Sequence, residues 1–151
     1  MPMPWSYRHA AKEWRGFLDD AKDKLSTPSD NVTYTVTEGV FRSFRKRLTV
    51  QQGLDFAQIL PTTLRALFVQ NWQVEPPAPW ASPDVYLRET RDLRKHHNLA
   101  PDNALEAVSY ALHRVVPPVD LTRTLAKIGP EAEAFWRLEG VDQSELGPRF
   151  R

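Results

Sequence analysis

Val32-Thr33-Tyr34-Thr35-Val36-Thr37-Glu38-Gly39-Val40-Phe41-Arg42-Ser43-Phe44-Arg45-Lys46-Arg47-Leu48 is the stretch whose reading decides the fold class. Its first six residues alternate apolar and polar side chains and are mostly β-branched, which taken alone reads as a strand. Directly after them Val40, Phe41, Phe44 and Leu48 recur at helical spacing. A second stretch settles the choice. Glu106-Ala107-Val108-Ser109-Tyr110-Ala111-Leu112-His113-Arg114-Val115-Val116 lies over Glu38 to Leu48 at an offset of 68 (38 to 106). The counterparts of residues 32–37 around Ala104 and Leu105 are helical in pattern, and tertiary context routinely overrides local propensity. The whole segment is therefore expected to be helix.

The correspondence continues outward. Phe56-Ala57-Gln58-Ile59-Leu60-Pro61 lies over Leu125-Ala126-Lys127-Ile128-Gly129-Pro130 at an offset of 69 (61 to 130), with one residue inserted at the intervening turn, where insertions cost little. Leu25 matches Leu93 at the first offset. These matches predict an all-α fold of two tandem, diverged helical units of about four helices each. Residues 1–75 form the first unit and residues 84–140 the second. Between them residues 76–83, Pro-Pro-Ala-Pro-Trp-Ala-Ser-Pro, make a Pro-rich linker that favours an extended, semi-rigid path. Residues 141–151 are polar, contain Gly and Pro, and are expected to fray.

Local signals place the helix ends. Ala10, Trp14, Phe17, Leu18, Ala21 and Leu25 give an amphipathic helix over residues 7–25, capped by Ser6 and ended at Thr27-Pro28. Thr49-Val50-Gln51-Gln52 is a capping box, Pro61 suits the first position of the next helix, and Asn71 suits its end. In the second unit, helices are expected from Ser82-Pro83-Asp84, from Ala100-Pro101-Asp102-Asn103, from Pro117-Pro118 and from Gly129-Pro130, the last running through Leu138 to Gly140.

The run Gly53 to Trp72, with its Leu60-Pro61 break and Leu64-Arg65-Ala66-Leu67-Phe68, resembles the bacterial family catalogued as domain of unknown function 2267. So does the run from Arg94 to Asp102. The resemblance covers most of the chain, from Trp14 to Trp136, and implies a helical protein of tandem units without an assigned activity or assigned site residues. The departure is the linker, which is longer and stiffer here.

Composition narrows the function. The chain has 151 residues, 41% of them hydrophobic, no cysteine and a net charge of +1. Thiol catalysis and Cys-ligated metals are excluded, and a reducing compartment fits. The start MPMPWSYRH lacks a basic region followed by an apolar run, so no signal peptide is expected, and a cytoplasmic location is. No stretch reaches the apolar length a membrane helix needs. The charges barely segregate, +2 over residues 1–75 and −1 over residues 76–151, so no global field steers the protein to nucleic acid or membrane.

His96-His97, followed by Asp102 and Glu106 at four-residue spacing, is the candidate metal site, which His113 and His9 could join. Its competing reading is a helix C-terminus where cationic His complements the dipole. Arg42, Arg45, Lys46 and Arg47 form the densest basic cluster, expected on a solvated helix face, with Phe41 and Phe44 in the core. Of the five tryptophans, Trp14, Trp72 and Trp136 are expected core anchors, whereas Trp80 either packs the linker or anchors a partner. No nucleophile motif or Gly-rich phosphate loop is present. The expected function is a non-enzymatic interaction or scaffold module for a protein partner, without cofactor. Partner-binding residues are Trp80, Arg42, Arg45 and Lys46. The alternative is a small-ligand or metal site between the units near His96 and His97.

Overall fold

The computed structural model describes residues 3–93 and 100–148. Among them nine helices follow one another: α1 (Trp5–Arg8), α2 (Ala10–Leu25), α3 (Asp30–Arg45), α4 (Val50–Gln58), α5 (Thr62–Val69), α6 (Pro83–Asp92), α7 (Ala104–His113), α8 (Pro118–Ile128) and α9 (Pro130–Phe135). A 3-10 turn at Gln143–Glu145 follows. No described residue is in a strand, so the expected all-α class holds.

Residues 32–37 are helical because the threonines that suggest a strand are tied into the helix. Ser29 caps α3, its hydroxyl accepting from the Val32 N–H at 3.1 Å. The hydroxyls of Thr33, Thr35 and Thr37 each donate to the carbonyl four residues back, at 2.9, 2.9 and 2.8 Å. Helical register then puts Thr33, Val36, Thr37, Val40, Phe41 and Phe44 among the buried residues. The buried hydroxyls of Thr33 and Thr37 are satisfied within their own helix, so burying them carries no unpaired donor.

Several boundaries differ from expectation. The helix expected over residues 7–25 is interrupted at His9, whose φ of −111° and ψ of 18° leave the α2 conformation. Ser6 therefore lies inside α1 and caps nothing. The His9 ring stacks on Trp5 with centroids 4.4 Å apart and donates to the Trp5 carbonyl at 2.9 Å. Pro61 is the residue before α5 rather than its first. The Thr49–Gln52 capping box forms in full, and Asn71 adopts a left-handed φ of 56° after α5. The last expected helix stops at Phe135, short of Leu138 and Gly140. Part of the stretch expected to fray is held: the Gly147 N–H donates to the His113 carbonyl at 2.8 Å, and Tyr110 Oη donates to Glu145 at 3.3 Å.

One cluster of buried side chains draws on both sides of the linker. Phe17, Phe41, Phe44, Phe56 and Phe68 meet Val108, Leu112, Leu121 and Trp136. Trp136 is fully buried, its ring 6.2, 5.3 and 5.8 Å from those of Phe41, Phe44 and Phe56. α3 lies mainly against α6, and α2 against α7. The α3–α6 approach is close enough to require Gly39. A Cβ there would stand 2.8 Å from the Thr90 carbonyl oxygen and 2.9 Å from Thr90 Cγ2. Helix propensity alone favours Ala over Gly by about 1 kcal/mol. Gly39→Ala is nevertheless expected to destabilise by about 1–3 kcal/mol, because backbone must move to admit the methyl. The check is a lower urea midpoint at unchanged slope.

Candidate functional site

The end of α3 carries Arg42 and Arg45, followed at once by Lys46 and Arg47. The expectation of four solvated cations is wrong for two of them. Arg45 is 7% exposed and Arg47 is 5% exposed. Beyond Phe44 the chain tightens, with Arg47 N–H bonded to Phe44 O and Leu48 N–H to Arg45 O. Arg47 lies beneath the linker. Its Nε donates to the Pro79 carbonyl at 3.1 Å, its Nη1 to the Ser43 carbonyl at 2.8 Å, and its Nη2 to Glu89 at 3.1 Å. Arg45 turns to the end of α5, where its Nη1 donates to the carbonyls of Phe68 at 2.8 Å and Gln70 at 3.0 Å. Both guanidinium groups satisfy carbonyls at a helix end or in the Pro-rich linker, where regular backbone partners run out.

The linker folds back onto the same place. The Ala78 N–H donates to the Lys46 carbonyl at 3.0 Å, and the Trp80 ring packs 5.9 Å from Phe44. Between the α3 end, the α5 end and the linker opens a cleft of about 300 Å³, lined by Arg42, Arg45, Lys46, Leu48, Asn71, Trp72, Gln73, Glu75, Pro76 and Ala78. Arg42 pairs with Glu38 at 3.2 Å and Lys46 with Glu89 at 3.3 Å. Arg45 forms no ion pair with a carboxylate among the described residues; its hydrogen-bond acceptors are the two carbonyls. Burial, and next the neighbouring charge of Arg42, push its pKa below the ordinary arginine value, against the opposing pull of Glu38. Arg42 Nε is buried with no hydrogen-bond partner among the described residues. The cleft thus brings three cations and Glu75 to a partly apolar lining, with Arg42 and Lys46 each paired to a carboxylate and Arg45 held by carbonyls.

A family model described as an uncharacterized conserved protein, DUF2267, matches residues 14–135. The chain belongs to this family. No curated protein matches it. The match spans α2 to α9 and therefore includes every wall of the cleft.

In this DUF2267 chain the residues proposed from sequence distribute unevenly. Arg42, Arg45 and Lys46 come together in the cleft, although Arg45 is buried and used internally. Trp80 is half-buried against Phe44, packing the linker, and stands beyond the cleft wall. Trp72 lines the cleft, with the Arg45 guanidinium 5.5 Å from its ring centroid. His96 and His97 lie outside the described residues. Asp102 precedes α7 rather than sharing a helix with Glu106; it is 96% exposed and pairs with Arg91 at 2.9 Å. His113 donates through Nδ1 to the Ser109 carbonyl at 2.8 Å, and burial pushes its pKa down. Among the described residues no three or more of His, Asp and Glu gather where they could hold a metal.

Glu89 and Ser43 were not singled out by sequence reasoning, and no local pattern marks them. Burial opposes ionisation of Glu89. Hydrogen bonds from Arg47 and Ser43, with the charges of Arg47 and Lys46, outweigh it and hold the carboxyl at about 2 against an ordinary 4.5. A carboxylate with a lowered folded-state pKa stabilises fully above the unfolded value, and that contribution disappears as pH falls through the folded value. Glu89→Gln is therefore expected to cost about 3–5 kcal/mol at neutral pH by leaving Arg47 buried and unpaired. The gap from the parent protein should close between about pH 5 and pH 2. Urea denaturation of both proteins across that range is the measurement.

Proposed function

We propose that this protein is a non-enzymatic interaction module of the cytoplasm that engages a partner protein at the cationic cleft beside its linker. The observation that carries the reading is Arg45, a desolvated cation beside a second cation, with carbonyls rather than a carboxylate as its acceptors. An incoming anionic group would lower the electrostatic cost of that arrangement. The cleft's ionisable residues are two arginines, one lysine and Glu75, and a guanidinium serves neither as acid nor base near neutral pH. That composition favours binding over chemistry.

A duplicated helical unit remains part of this proposal. What supports it is the element order, with α2 to α5 before the linker and α6 to α9 after it. The two main helix contacts, α3 on α6 and α2 on α7, are counterparts under that pairing. On this reading the linker joins the copies and also supplies one wall of the binding cleft.

A photo-crosslinking amino acid at Gln73, an exposed cleft residue, tests the module reading in the native host. A discrete adduct is expected from that position and not from the same probe at Val119, which is 75% exposed on α8. Arg42→Glu should abolish the Gln73 adduct. No adduct, or equal adducts from both positions, would end the reading.

A further inference from the structure

We infer that the cleft formed by Arg42, Arg45, Lys46, Trp72 and the linker takes an extended acidic peptide segment, with partner carboxylates on Arg42 and Lys46 and an apolar side chain against the wall between them. The inference rests on the interaction-module reading and specifies the chemistry of its partner.

Three features choose a peptide over a compact anion such as phosphate. First, Arg42 and Lys46 stand one turn apart on the helix, a spacing of about 5–6 Å that suits separate carboxylates along a chain. Second, Leu48, Trp72, Pro76 and Ala78 give the cleft an apolar portion that a bare oxyanion would leave empty. Third, the cations surround the carboxyl-terminal end of a 16-residue helix. Compact phosphates are favoured where free N–H groups converge at a helix N-terminus. This end presents carbonyls instead, and its negative pole weighs against phosphate and carboxylate alike, so the side-chain cations supply the attraction. The linker N–H of Ala78, at the cleft wall, is already donated to the Lys46 carbonyl. The linker also presents a proline-rich wall without helix or strand beside the helix, along which an extended segment can lie.

A nucleic acid fits less well. Net charge is +1, so no global positive field adds to the cleft's own cations. The Trp72 ring is already engaged, against Gly53 on the neighbouring helix and near Arg45, rather than free as a platform for a base.

Fluorescence anisotropy on the full chain tests this with a fluorescein-labelled peptide alternating glutamate and leucine, and with its glutamine–leucine counterpart. The acidic peptide should bind at least about tenfold more tightly, with affinity falling as sodium chloride rises. Arg42→Gln and Lys46→Gln should each weaken it by about three- to tenfold, whereas Arg123→Gln, on the exposed face of α8, should not. Circular dichroism establishes that each variant is folded. Equal binding of the two peptides, displacement by millimolar inorganic phosphate, or tighter binding of a single-stranded oligonucleotide would each overturn the inference. A Gln73 crosslink without acidic preference would overturn it and leave the module reading standing. Acidic-peptide binding without any crosslinked partner would instead count against the module reading.

Discussion

Arg47 joins three parts of the chain at one guanidinium: the Ser43 carbonyl of α3, the Pro79 carbonyl of the linker and the Glu89 carboxylate of α6. A buried ion of this kind is tolerable only when its donors are nearly all satisfied, since desolvation otherwise costs several kcal/mol. That requirement makes the three elements mutually dependent. α3 cannot shift along α6 without uncovering the charge, and the linker cannot lift without exposing a carbonyl and its donor together. The same geometry places the linker beside the end of α3, and so creates the cleft.

The helix that carries Arg47's anchor is itself unusual in composition. α3 is rich in threonine and valine, which favour extended backbone, yet it is buried on the face that meets both α6 and the shared core. Threonine hydroxyls bonded to carbonyls four residues back remove the cost of burying them. Gly39 lets α6 approach, and the aromatic side chains beyond it pack around Trp136. Residues far apart in sequence thus share one interior, and the linker lies over that interior rather than bridging open solvent.

Seen from the cleft, two buried arginines divide the work of one basic cluster. Arg47 is neutralised by Glu89, while Arg45, among the described residues, donates to the Phe68 and Gln70 carbonyls and remains next to Arg42. Lys46 and Arg42 keep partial exposure and a carboxylate each. Charge that a solvated face would have dispersed into water is instead concentrated against a wall of low dielectric, where it acts more strongly on whatever approaches.

Much of the helical framework was legible in the sequence because helix signals are local. Spacing of apolar residues, the Thr49–Gln52 box, the prolines at residues 76–83 and the start of α6 at Pro83 each depend on neighbours within a turn. The break at His9 and the early end of α9 were not legible, since contacts of Trp5 and burial of Trp136 decide them. Nor could the cluster from Arg42 to Arg47 be sorted into buried and exposed members. The acceptors that draw Arg45 and Arg47 inward, Phe68, Gln70, Pro79 and Glu89, lie on other elements, more than twenty positions away. Sequence by itself determined that the chain would be helical and where its strongest caps and breaks fall. Only tertiary structure decided which charges are buried and where a cleft opens, because an ion's cost depends on partners that folding alone brings within reach.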